Sequence, residues 1–492
     1  MPDDSYAWLR LTVQQVEEIS MNAIIDGLNT IFWGYVLIYG LLAVGIYFTV
    51  RLGFPQIVHF SEMFRTVLSA PDTDREGISP FQALTVSLAS RVGTGNLAGV
   101  AVALYLGGPG AIFWMWMVAL VGMATAYSES TLAQLYKSHG ESGLYRGGPA
   151  YYIRKGLGQG WLGYIFSICL IISFGLVFNA VQANSIAQAM NGAFGIPTIV
   201  VGALVAIVAG VVIFGGIRSI AHVAELVVPF MAIAYLALAV VVVIMNLDEV
   251  PGVIGLIFRS AFGLQEAAGG VTGGIMAAML NGVKRGLFSN EAGMGSAPNI
   301  AAVATPVPHH PSSQGFVQAL GVFIDTILIC TATAIMILLS GVLEPGSGIT
   351  GTQLTQDALE AHIGSAGGFF IAVAIFFFAF TSIIGNYSYS ENAMAFLGLD
   401  NKPALMVLRI AVLGMVLWGS LQAVSTVFNT ADASMGLMAT INLIAICLLS
   451  GTVAKLTRDY FAQRKAGKEP VFHAADYPEL AGQIDESIWR RD

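Results

Sequence analysis

The sequence predicts an all-α polytopic membrane protein with about eleven transmembrane helices: one extra helix, then a five-plus-five inverted repeat with two broken helices. Three observations carry this. Of 492 residues, 56% are hydrophobic and only 11% charged, against roughly 25% charged in an ordinary globular domain. With a mean hydropathy of +0.73, a soluble enzyme is all but excluded, because so few ionic groups cannot cover its surface. Apolar stretches of about 20 residues recur along the chain, the length that crosses a bilayer. Glycine is also abundant, with 56 residues, or about 11% against a usual roughly 7%. In lipid that means close helix packing or broken helices. Cys169, Cys330 and Cys447 lie inside apolar runs, so neither a disulfide framework nor a CxxC metal site is present.

The elements follow in order. Residues 1–26 lack the basic n-region of a cleaved signal peptide. Trp8, Leu9, Leu11, Val16 and Ile19 form the apolar face of a short interfacial helix, or else the terminus is frayed and polar. Spans are expected at 27–50, 81–106, 110–136, 161–190, 197–217, 222–246, 255–283, 315–343, 366–388, 403–424 and 429–454. The first, 27–50, is the extra helix. Residues 77–246 make the first repeat and 250–458 the second. The polar tail, 459–492, is too short for a core of its own.

Orientation follows from Lys and Arg. With the N-terminus outside, 19 of the 22 basic residues fall in inside segments. Only Arg10 and Arg259 fall outside, and Arg91 lies within a span. The outer loop 344–365 carries Glu344, Asp357 and Glu360 but no Lys or Arg. An odd number of spans, N-out and C-in, satisfies this split.

Two spans are interrupted by glycine. The second has Ser90-Arg91-Val92-Gly93-Thr94-Gly95-Asn96 at its centre, and the seventh has Gly269-Gly270-Val271-Thr272-Gly273-Gly274. Each glycine costs about 1 kcal/mol in a helix interior, so four in six residues predict a break. Broken helices in lipid must face protein or a cavity. Two of them, each opening a block of five spans, are the signature of an inverted-repeat secondary transporter; the competing reading is plain small-residue packing. A half-helix N-terminus suits a carboxylate, and unwound carbonyls with hydroxyls suit sodium or an ammonium group. The amides of Thr94, Gly95 and Asn96, with the Thr94 hydroxyl, are the carboxylate candidates.

SRVGTGNLAGVA in span two and NGVKRGLFSNEAGMGSAPN after span seven resemble the alanine/glycine:cation symporter family, from about residue 27 to 458. The resemblance implies a fold like that of the bacterial leucine transporter, and sodium-driven uptake of alanine, glycine or a similar small amino acid. It also carries over site residues. Val-Gly-Thr-Gly-Asn at 92–96 resembles a segment of the neurotransmitter-sodium-symporter group in which the Asn side chain binds a sodium ion that also touches the substrate. Asn96 takes that role by resemblance, with Thr272 as its partner and Gly273 lining the substrate site. A second sodium site maps to the carbonyls of Ala89, Val92 and Phe378 and to the hydroxyls of Thr381 and Ser382, unless those hydroxyls only bond back to their own helix.

Arg91 departs from that pattern. A charge at mid-membrane costs roughly 2.5–3.5 kcal/mol on the lenient scale, so it should find a carbonyl or one of Glu129, Glu291 and Glu391. In span four, Phe178 and Gln182 are one turn apart and Asn179 shares the face of Gln182. This face closes the pocket or serves helix–helix hydrogen bonding. Asn386 is one turn after Ser382 and faces the same pocket. Asp325, placed nearer the inner end of its span, and Asp432, near the outer surface, are gate candidates, Asp432 alternatively a helix cap. The segment 285–293 reads as an inner gate or hinge, because Lys284, ten residues after Gly274, reaches the inner surface at 1.5 Å per residue.

The expected cargo is a small neutral amino acid with a co-transported sodium ion, in the plasma (inner) membrane of a prokaryote. The lipid bilayer is the expected partner, with no nucleic acid and no obligate protein partner. All seven histidines lie in loops or near span ends, so no histidine relay favours protons over sodium. The rivals are a proton-coupled carrier and a channel or sensor on the same fold. A membrane enzyme would need a nucleophile–base pair or metal cluster, and the sequence offers neither.

Overall fold

The computed structural model describes residues 23–69, 77–140, 143–263, 271–344 and 346–490, with only the backbone of 271–273. Residues 1–22, which hold most of the expected interfacial helix, and the Gly269–Gly270 pair lie outside them.

The described chain is nearly all helix. An opening helix α1 (Ala23–Arg51) and a short amphipathic α2 (Phe60–Leu68) lead into the first run of spans. That run begins with two half-helices, α3 (Pro80–Arg91) and α4 (Gly95–Gly107), followed by α5 (Gly110–Leu135). A two-residue-per-strand hairpin, β1 (Ser138–His139) with β2 (Tyr145–Arg146), and a short α6 (Pro149–Gly156) come next. The run closes with α7 (Gly160–Phe194), α8 (Thr198–Ile213) and α9 (Gly216–Met245). After the peripheral α10 (Val250–Ala261), the second run repeats the pattern. It has half-helices α11 (Val271–Asn290) and α12 (Pro298–Ala301), α13 (Ser312–Ser340), a short α14 (Gly351–Ile363), α15 (Ser365–Phe396), α16 (Lys402–Ser420) and α17 (Val424–Leu448). A last helix, α18 (Ser450–Lys465), continues past residue 458, so the tail begins later than expected.

Eight of these helices are long and apolar enough to cross a membrane, and shorter apolar ones accompany them. Ile207, Val211, Leu226 and Phe230, on α8 and α9, are each at least 65% exposed, which fits a lipid-facing surface and no aqueous one. Small residues bring helices close. A Cβ on Gly419 of α16 would stand 2.3 Å from the Ala180 carbonyl oxygen of α7.

The two broken helices lie side by side and antiparallel. Ile78, just before α3, pairs through its backbone with residues 303–305, just after α12. At the other end, Gly107 of α4 sits within about 3 Å of Ala277 and Asn281 of α11. The second run is therefore inverted relative to the first.

One expectation is corrected here. Span seven is not one helix over 255–283, since α10 ends at Ala261 and α11 is a separate helix, and the described part of the expected break, 271–274, is helical. The backbone is helical without interruption from Val271 to Asn290, and the chain opens at Glu291–Ala297 instead. The true break is a local conflict: Gly293 and Gly295 sit at φ 90° and 80°, Glu291 is left-handed at φ 59°, and Pro298 starts the next helix. Lys284 and Arg285 accordingly stand above the break, not at the surface beyond it.

The tail packs on the basic end of the bundle. Trp489 is buried, its Nε1 donates to the Leu135 carbonyl at the end of α5, and the Lys137 ammonium lies 5.3 Å from its ring. The tail has no core of its own and borrows that of the bundle.

Candidate functional site

The first break follows from its sequence. Ser79 caps α3 in a reciprocal capping box with Gln82. Val92 then leaves the helix, and α4 restarts at Gly95 with a π-turn. Two glycines allow neighbours to close in. A Cβ on Gly93 would lie 2.2 Å from Ser382 Oγ, and one on Gly95 would lie 3.1 Å from both Phe288 Cδ1 and Ser289 Cα. The unwound segment thus touches α15 on one side and α11 on the other.

Most of the residues expected at the site converge here. The Thr94 amide donates to Gln182 Oε1 at 2.9 Å. Asn386 Nδ2 donates to Asn179 Oδ1, and Asn386 Oδ1 accepts from Ser90 Oγ at 2.6 Å. Phe178 stacks on Phe288 with ring centroids 4.7 Å apart. Thr381 and Ser382 both donate to the Phe378 carbonyl, at 2.9 and 3.1 Å, with Gly93 against Ser382. Ala89 and Val92, the other carbonyl candidates, are fully buried at the end of α3. The Thr94 hydroxyl is buried without a hydrogen-bond partner among the described residues.

Thr272 and Gly273 do not join them. They stand in the first turn of α11, about 25 Å along the helix from Ser289 at 1.5 Å per residue. Ser289 takes the place expected of Thr272. Its hydroxyl donates to Asp325 Oδ2 at 2.8 Å, while Asn96 Nδ2 donates to Asp325 Oδ1 at 2.7 Å. Thr326 Oγ1 donates to the same carboxylate at 2.7 Å.

Asp325 is therefore not near the inner end of its span. It sits at the level of the breaks, fully buried, in a π-turn over Phe323–Cys330 of α13. Among the described residues it makes no ion pair. A buried carboxylate without a cation is costly, so the position calls for a cation or a proton. The sequence marks Asp325 as a charged intramembrane group but does not reveal that Ser289 and Asn96 face it.

The segment 285–293 is also relocated. It lies beside the first break at the level of the site and not at the inner end of the bundle. Glu291 joins the two breaks directly: Ser296 Oγ donates to it at 2.6 Å, and Ser90 Oγ, also 2.6 Å away, shares its one proton between Glu291 Oε1 and Asn386 Oδ1. Asn442 Nδ2 donates to Glu129 Oε2 at 2.7 Å, and the Gly293 amide donates to Glu129 Oε1 at 3.2 Å, steadying the second break from below. Arg91 finds a carbonyl: its Nη1 donates to Gln318 O at 3.1 Å. Glu391, a suggested partner of Arg91, instead pairs with Arg146 at 3.3 Å. Because Glu291 ties α3 to the unwound chain, Glu291→Gln should lower transport turnover by at least about tenfold, the effect of ~1.4 kcal/mol on a barrier, with substrate affinity little changed. Uptake kinetics read both; an intact rate with a large affinity loss would refute the assignment.

Above the site lies a charged lid. Asp432 of α17 accepts from Lys284 Nζ at 2.7 Å and from Arg285 Nη2 at 2.5 Å. Asp432 is buried in the third turn of α17 and does not cap it. Arg285 lies 5.6 Å from the Phe288 ring and 5.2 Å from that of Phe428. Arg285 and Phe428 also line a cavity of about 480 Å³ with Gln188, Thr352 and Asn429. One turn further along α11, Phe288 stacks on Phe178 beside the first break.

Two inverted runs, each opening with a helix broken at mid-bundle around buried polar groups, define a secondary transporter. A likeness in fold agrees: MhsT, solved in complex with L-phenylalanine, superposes with a TM-score of 0.53 at 13% identity, covering 78% of this chain and 99% of that one. The chain belongs to the Sodium:alanine symporter family, whose profile matches residues 18–474. The amino-acid carrier protein AlsT of Bacillus subtilis is 51% identical, over 94% of this chain and 97% of its own. The probable sodium/glutamine symporter GlnT of the same organism is 48% identical, over 90% and 92%. The sodium/alanine symporter AgcS of Methanococcus maripaludis is 39% identical, over 90% and 98%. The protein is thus a multi-pass membrane transporter and not an enzyme.

Proposed function

We propose that this protein couples inward sodium movement to uptake of a small neutral amino acid, alanine or glycine foremost, with D-alanine and serine in the same size class. The observation that carries the reading is Asp325: a buried carboxylate that no Lys or Arg ion-pairs among the described residues, surrounded by the hydroxyls of Ser289 and Thr326 and the amide of Asn96. Hydroxyl hydrogens rotate, so those oxygens can turn to a bare cation. A second sodium fits the Ala89 and Val92 carbonyls with Thr381, Ser382 and the Phe378 carbonyl. The substrate carboxylate fits the start of α4 at Thr94, Gly95 and Asn96, with Gln182 beside it and Phe178 closing over a short side chain.

Eleven spans follow if each broken pair counts as one crossing with α1 as the extra helix. The repeats then run within 77–246 and 250–458. Moving Lys284 and Arg285 to the outer side changes the basic count inside from 19 to 17, with Arg10, Arg259, Lys284 and Arg285 outside. The split still favours an outside N-terminus and a cytoplasmic C-terminus in a prokaryotic plasma membrane. The cavity that Arg285 lines is then the outer vestibule.

Sodium entering down its gradient supplies about 2.3 kcal/mol per charge per 100 mV, plus the concentration term. Counterflow in proteoliposomes tests the reading. Labelled alanine should accumulate only with an inward sodium gradient, and unlabelled glycine should compete better than glutamine. Accumulation on a proton gradient alone would establish the proton-coupled carrier. Sodium flux without amino-acid accumulation would establish the channel.

A further inference from the structure

Cys330 stands in the wall of the Asp325 site and has no part in the assignments above. It is 2% exposed. Its Sγ lies 3.3 Å from Asn96 Nδ2 and 3.2 Å from Ser289 Oγ, two of the three side chains that donate to Asp325. The helix geometry causes this. In an ordinary α-helix with 3.6 residues per turn, a residue five positions on points about 140° away. The π-turn over Phe323–Cys330 winds i to i+5 and turns Cys330 back toward the groups that hold Asp325. The Asp325 site is therefore bounded by oxygen ligands from Asp325, Ser289 and Thr326, and by sulfur from Cys330.

A neutral thiol is a large, soft and weak ligand, poorly matched to a small hard cation. Sodium tolerates a long contact on one side of its shell. Lithium, smaller and harder, needs short oxygen contacts throughout. We infer that Cys330 sets the cation selectivity of the Asp325 site, holding it to sodium and against lithium. The inference rests on the sodium-coupled reading of that site.

Purified full-length protein in proteoliposomes tests it, with alanine uptake driven by sodium or by lithium in wild type, Cys330→Ser and Cys330→Ala. Serine supplies a hard oxygen at the same position. It should lower the lithium-to-sodium ratio of half-saturating concentrations by about fivefold or more, where tenfold corresponds to 1.4 kcal/mol. Alanine, which supplies no ligand, should leave the ratio unchanged or raise it. An unchanged ratio in the serine variant overturns the inference, and so does an equal fall in both variants, which would reflect packing alone. Thermal stabilisation of the detergent-purified protein by lithium or sodium chloride, against choline chloride, reads the same ratio without transport. Absence of coupled uptake in wild type would count against the transport reading, while this binding ratio still decides the role of Cys330.

Discussion

Asp325→Asn should reduce sodium-driven amino-acid uptake by about 100-fold or more, equivalent to ~2.8 kcal/mol at 1.4 kcal/mol per tenfold. The amide keeps the size of the carboxyl group, and Ser289, Thr326 and Asn96 remain placed to hydrogen-bond it. What disappears is the negative charge, in a site where no Lys or Arg ion-pairs with Asp325 among the described residues. A cation there interacts through a low effective dielectric, so its loss of affinity is large. The fold should persist, because a neutral group at this depth is cheaper to bury than an unpaired carboxylate. The measurement is alanine uptake against sodium concentration, with the melting temperature as control. Wild-type sodium dependence in a well-folded Asp325→Asn protein would remove Asp325 from the ion path.

Asp432→Asn should have the largest effect on stability, about 3–5 kcal/mol, the range for breaking a buried ion pair from one side. One carboxylate neutralises two cations, and Arg285 is 4% exposed while Lys284 is 15% exposed. Without it, both charges remain under the lid with no carboxylate, and the Phe288 and Phe428 rings supply only a weak cation–π contact to Arg285. Adding Lys284→Met to Asp432→Asn should recover part of the loss, since one uncompensated charge is removed. Thermal melts of the detergent-purified single and double variants check this. Melting unchanged by Asp432→Asn would mean that the pair is too hydrated to matter.

The membrane class is legible in composition, and the first break is legible in its residues. Gly93, Thr94, Gly95 and Asn96 interrupt an apolar span with polar groups and two glycines, which lipid tolerates only where the freed backbone is buried in protein or lines a cavity. Glycine number alone misplaces the second break. Gly269–Gly274 looks weaker as helix than Glu291–Ala297, yet the latter combines two left-handed glycines with a proline at the next helix start. Capping and turn chemistry mark where a helix stops better than glycine density does. The misplacement propagates, since it sets Lys284 and Arg285 a half-membrane away from Asp432, their actual partner. The meeting of Ser289, Asp325 and Cys330 is beyond the reach of sequence for another reason. They come together only through packing of α11 against α4 and α13, together with a π-turn that no periodicity reveals.

The backbone pairing of Ile78 with residues 303–305 has a mechanical consequence. Ile78 N donates to Val303 O, and Thr305 N donates to Ile78 O, so the lower pieces of the two broken helices are welded at their tips. Peptide-to-peptide bonds of this kind do not depend on side-chain identity, and in a dry interior each is expensive to open. The lower pieces, α3 and α12, are thereby tied to each other at the inner end of the bundle, so a displacement of one pulls on the other.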